Sequence, residues 1–94
     1  MSLIVSPAIL SKLLKRHDVT ARDVEECFAN RTGRLLIDDR AENRTDPPTR
    51  WFIAQTHHGR SLKIVFVQSG EDVFLKTAYG PNAEELRIYR KFGQ

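Results

Sequence analysis

Cysteine is nearly absent from this 94-residue chain: Cys27 stands alone, so no internal disulfide can form. That usage suits a reducing compartment, and the cytoplasm is the expected location. Long apolar runs are missing too. Nothing approaches the roughly 20 residues that a membrane helix needs, and no basic segment followed by an apolar core marks a secretory leader. A membrane is therefore not an expected partner. Histidine is scarce, with only His17, His57 and His58 present. Neighbours on a strand point to opposite faces, so His57 and His58 do not readily share an ion, and a metal site needs about three or four spaced ligands. Neither a metal nor another cofactor is expected. Finally, the stretch from Pro47 to Gly70 lacks any acidic residue, while Arg50, Arg60 and Lys63 occur in it beside His57 and His58.

What is present is ordinary for a globular chain. The composition is 40% hydrophobic and 29% charged, and the length fits one domain over residues 1–94. A net charge of +3 suits an anionic partner such as RNA without requiring one.

The segment from Arg50 to Tyr79 reads as three strands: Trp51 to His57, Ser61 to Val67, and Val73 to Tyr79. Each is rich in aromatic and β-branched residues, and glycine-containing turns (His58-Gly59, Ser69-Gly70) separate them. Connections this short allow only antiparallel neighbours, so the segment is an expected meander. Arg34 to Asp38 precedes it as a fourth strand, followed by a polar loop from Asp39 to Thr49. Alternating Ser2 to Ser6 can add an edge strand.

Helix signals flank the meander. Ser6 caps a first helix with Pro7 at its first position, and Leu10, Leu13, Leu14 and His17 mark one face. After a break at Asp18-Val19, Thr20 and Asp23 form a capping box for a second helix, whose stripe is Ala21, Val24, Cys27 and Phe28. Asn82 and Glu85 form another box for a closing helix. The expected fold is thus α+β: an N-terminal αα-hairpin, an antiparallel four-stranded meander and a C-terminal helix. Strand alternation puts Lys76 with Ala78 on one face of the last strand, and Thr77 and Tyr79 with Val73 and Leu75 on the other. Helices are expected to clad one side only, leaving a cationic open side.

Three stretches resemble small toxin ribonucleases of the BrnT type and their RelE-like relatives, a group that also takes in barnase- and colicin-like nuclease domains. The first is Lys15-Arg16-His17-Asp18-Val19-Thr20 with Val24 to Asn30. The second is Gly59-Arg60-Ser61-Leu62-Lys63-Ile64-Val65-Phe66. The third joins Lys76-Thr77-Ala78-Tyr79 to Glu84-Glu85-Leu86-Arg87-Ile88-Tyr89. Where the BrnT pattern carries Ser-Ala-Arg in the last strand, the Arg position here is Tyr79. Short chains of this kind also carry the name ADP-ribosyl-[dinitrogen reductase] hydrolase, but that family is larger, all-helical and magnesium-dependent, and no matching carboxylate cluster is present.

The resemblance implies a metal-independent RNA-cleaving toxin paired with a cognate antitoxin protein, and it allows a homodimer. Such chemistry needs a base for the 2′-hydroxyl, an acid for the leaving 5′-oxygen, and cations for the phosphorane. The expected catalytic residues are Arg60 and Lys76 on the phosphate, with Tyr79 or His57 moving protons. Arg50, Trp51, Lys63 and Arg87 are the expected nucleic-acid contacts. The alternative is a non-catalytic nucleic-acid- or protein-binding module on the same fold. Asp38, Asp39, Glu42 and Asp46, interleaved with Arg40 and Arg44, read as a solvated charged loop.

Overall fold

A computed structural model describes residues 2–38 and 46–94. Most of the polar loop, with Asp39, Arg40, Glu42 and Arg44, lies outside the described residues. The elements in chain order are β1 (Ser2–Ile4), α1 (Pro7–Lys12, continued as a π-helical turn over Leu13–His17), α2 (Ala21–Asn30), β2 (Leu36–Ile37), β3 (Thr49–Gln55), β4 (Ser61–Ser69), β5 (Asp72–Tyr79) and α3 (Ala83–Phe92). No helix among them is long and apolar enough to cross a membrane.

The helix ends follow the capping chemistry. Ser6 Oγ accepts the Ile9 N–H at 3.2 Å, with Pro7 at the first position where its missing donor costs nothing. Thr20 and Asp23 exchange reciprocal bonds of 3.1 and 3.0 Å, and Asn82 and Glu85 do so at 2.8 and 3.0 Å. Asp18 stops the first helix in the left-handed region, at φ 52°, which a short polar side chain tolerates. Gly59 and Gly70 supply positive φ, at 83° and 61°, in the two turns of the meander.

The sheet is five-stranded in the order β1-β5-β4-β3-β2. Strands β2 to β5 form the antiparallel meander, and β1 joins its far edge parallel to β5. Strand β2 is shorter than the expected Arg34 to Asp38 run, although the Asp38 N–H still bonds the Thr49 carbonyl at 2.8 Å.

Directly paired residues share a face of the sheet. Phe52 opposite Ile64, Ala54 opposite Leu62 and Ile64 opposite Ala78 therefore define one face. Phe28 of α2 packs edge-on against Phe52 and Phe66, with ring centroids 4.9 and 5.3 Å away. Leu13, Val19, Val24 and Cys27 complete this side of the core, all fully buried.

The second face is not open. Trp51 pairs with Val65 and Lys63 with Tyr79, and α3 packs here, with the Tyr89 ring 5.6 Å from that of Trp51. The Tyr89 hydroxyl donates to the Arg34 carbonyl at 2.8 Å, which ties the helix to the segment before β2. The layers thus run helices, sheet, helix. This corrects the expectation of a sheet clad on one side only: the apolar flank of α3 needs a surface, and the Trp51 face supplies it.

The face assignment on β5 is also corrected. Val65 pairs with Thr77 and Phe66 with Leu75, so Lys76 is an extra residue with no direct partner, a β-bulge. One inserted residue resets the alternation. Leu75 and Ala78 therefore lie on the α1–α2 side, while Thr77 and Tyr79 lie on the α3 side.

Phe52 is fully buried between α2 and the sheet. Phe52→Ala is expected to cost about 3–5 kcal/mol of stability, read as a lower midpoint in urea at unchanged slope.

Candidate active site

Three elements converge on one carboxylate. Lys63 in the central strand β4 places its Nζ 2.7 Å from Glu85 Oε2 at the start of α3. Tyr79, directly across on β5, donates its hydroxyl to the same oxygen at 2.7 Å. The other oxygen, Oε1, accepts the Asn82 N–H and closes the capping box. The Lys63 ammonium also lies over the Trp51 ring, 4.6 Å from its centroid, and 5.7 Å from the centroid of Tyr79.

The cluster continues toward the β3–β4 turn. The His17 ring sits 5.7 Å from the Tyr79 ring, tilted by 38°. Arg60 donates Nη1 to the Asp18 carbonyl and Nη2 to the His17 carbonyl, both at 2.6 Å. The guanidinium thereby satisfies carbonyls at the end of the first helix and fixes the residue whose ring meets Tyr79. A guanidinium has further N–H groups beyond those two, and Arg60 is exposed.

Burial sets the electrostatics. Side-chain exposure is 7% for Lys63 and 16% for Glu85, so neither charge is stable there without the other. Burial alone would raise the Glu85 carboxyl. The bonds from the Asn82 backbone, Lys63 and Tyr79 outweigh it and hold that carboxyl below its ordinary value. Glu85 is therefore ionised at neutral pH. Beside the pair opens a cleft of about 570 Å³ whose lining includes Leu36, Trp51, Asn82, Glu84 and Ile88.

The structure thus gathers Arg60, Tyr79, Lys63 and Trp51 from the sequence-predicted set and adds His17 and Glu85. Trp51 is 8% exposed, between Tyr89 and Lys63, and its faces serve packing. The remaining candidates lie elsewhere. Lys76 is exposed on the bulge. Arg50 pairs with Phe66 on the α1–α2 side. Arg87 forms an exposed ion pair with Glu84 at 3.3 Å. The His57 Nδ1 lies 3.0 Å from Asn30 Nδ2, away from the Glu85 cluster. Cys27 supplies no nucleophile, because burial, helped by Asp23 and Glu26, pushes its thiol up to about 12. Among the described residues no group of His, Cys, Asp and Glu could hold a metal ion.

Two members escaped sequence reasoning. Glu85 already had a local partner in its capping box, so nothing in the sequence signalled a second use. His17 read as the last residue of an apolar helical face. No protein-family model matches the chain, and no curated protein matches it.

Lys63→Met leaves a mostly buried carboxylate without its cation, and is expected to cost about 3–5 kcal/mol. Adding Glu85→Gln, which keeps the cap, should recover more than half of that loss in urea denaturation. The folded-state value of Glu85 is depressed, so its contribution is present above its unfolded value and lost as pH falls through the folded one. The stability gap between wild type and Lys63→Met should accordingly narrow below the ordinary carboxylate range.

Proposed function

We propose that this protein is a metal-independent endoribonuclease, acting in the cytoplasm as a toxin held off by a cognate antitoxin protein. The observation that carries the reading is the junction of Lys63, Tyr79 and Glu85 through bonds of 2.7 Å, with His17 against Tyr79 and Arg60 fixed on the His17 carbonyl. Those five side chains supply every part that cleavage by the 2′-hydroxyl needs.

In this reading the ionised Glu85 takes the proton from the 2′-hydroxyl as that oxygen attacks phosphorus. Arg60 and Lys63 stabilise the charge that builds on the phosphorane oxygens. His17 protonates the departing 5′-oxygen as the general acid. Tyr79 orients Glu85 and holds the His17 ring. The products are a 2′,3′-cyclic phosphate on one fragment and a 5′-hydroxyl on the other.

A second reading is a binding module without chemistry, and one observation favours it. The Lys63 charge is already matched by Glu85 in a nearly buried pair, which in this second reading clamps α3 to the sheet and does no chemistry.

Incubation of single-stranded RNA with the full chain in EDTA separates the two. Cleavage leaving cyclic phosphate ends is expected, together with growth arrest on induction. Glu85→Gln and His17→Ala should each lower the rate by about 10²–10⁴. RNA that is bound but left intact by the wild type would establish the binding module instead.

A further inference from the structure

The other flank of α3 borders a second cleft, of about 610 Å³, with a different chemistry. Its lining includes Arg90 from α3, His57 from the β3–β4 turn, Ser61 at the start of β4, and Asn30 and Thr32 at the end of α2. Among the described residues no aspartate or glutamate side chain lines it, in contrast to the first cleft, which Asp38, Glu84 and Glu85 border.

Hydrogen bonds fix what His57 offers. Asn30 Nδ2 bonds the Gln55 carbonyl at 2.9 Å, which identifies the amide's donor end. That same Nδ2 lies 3.0 Å from His57 Nδ1, so Nδ1 must accept. The neutral ring then carries its proton on Nε2, as a donor. Glu26, the carboxylate bonded to the His57 main chain, is already matched: Oε1 accepts the His57 N–H at 2.9 Å and Oε2 pairs with Arg22 at 3.3 Å. Arg90 makes no ion pair with another described residue.

We infer that this cleft is a binding site for a phosphate group, carried by a small nucleotide or by a nucleic-acid strand. Arg90 supplies the charge and a planar pair of N–H donors, His57 Nε2–H and the hydroxyls of Ser61 and Thr32 supply neutral donors, and Asn30 acts as a positioning residue for His57. An anion entering here meets donors, with no aspartate or glutamate side chain among the described lining residues to repel it. The site stands independently of the proposed cleavage reaction.

The test is an NMR titration of the full-length ¹⁵N-labelled chain with three probes: inorganic phosphate, adenosine 5′-monophosphate, and a short single-stranded deoxyuridine oligonucleotide. The last lacks a 2′-hydroxyl, so binding is read whether or not the protein cuts RNA. Saturable shifts confined to residues 30–32, 57–61 and 86–90 are expected. Arg90→Gln should weaken binding about tenfold or more, the scale of one charged hydrogen bond. Lys91→Gln removes the same charge from the neighbouring position outside the lining, and should change it less than about twofold. Saturation by phosphate or the mononucleotide identifies a small-ligand site, and saturation by the oligonucleotide alone identifies a strand. Absence of saturation with every probe, or equal weakening by Arg90→Gln and Lys91→Gln, would overturn the assignment.

Discussion

The Glu85 carboxylate holds this molecule's last helix in place by doing two jobs with its two oxygens. Oε1 closes the cap of α3 on the Asn82 N–H, and Oε2 receives Lys63 from β4 and Tyr79 from β5. An acidic group in the first turn also complements the positive end of the helix dipole. The residue that starts α3 therefore also decides where α3 lands. Tyr89, one turn on, completes the docking through Trp51 and the Arg34 carbonyl. Without that docking the Trp51–Lys63 face of the sheet would be solvated, and the Lys63 ammonium would sit in water rather than in a site that tolerates it only when paired.

Local signals were legible because each has a local cause. The caps at Ser6, Thr20 and Asn82 need only a side-chain oxygen and nearby N–H groups, and all three formed where the sequence put them. The meander followed from glycine turns between β-prone runs. The sidedness of β5 was illegible. Its bulge falls at Lys76-Thr77, two polar residues in a row, and strict alternation read across that pair assigned Tyr79 to the wrong side. Tertiary pairing decided this register, and periodicity carries no trace of it. The partnership of Glu85 with Lys63 was hidden for a related reason, since a separation of 22 residues along the chain leaves no pattern.

A basic stretch of sequence did not become a basic surface. Between Pro47 and Gly70 there are cations and no anions, yet folding assigns two of the three Lys and Arg side chains structural partners from outside that segment. Arg60 turns to two main-chain carbonyls, and Lys63 turns to Glu85. What remains is an ordered cluster in place of a broad positive face. That difference bears on chemistry: a diffuse cationic face attracts any polyanion, whereas cleavage needs a proton acceptor, a proton donor and fixed cations within reach of one phosphate.

A buried lysine–glutamate pair is weak evidence for stability, because an apolar pair of similar volume often serves as well. Its setting is more informative. The first cleft is bordered by Asp38, Glu84 and Glu85 together with Lys63, whereas Arg60 and His17 stand at the other end of the Glu85 cluster. That end is governed by one tight turn. The Thr56 N–H bonds the Arg60 carbonyl at 2.9 Å, and the Arg60 N–H returns to Thr56 Oγ1 at 3.2 Å. Within this closed turn His57 goes toward Asn30 and the polar cleft, while Arg60 goes toward His17. The same few residues thus fix one member of each site. On the two proposals, a polyanion lying along the turn would meet both sites, one through Arg60 and the other through His57.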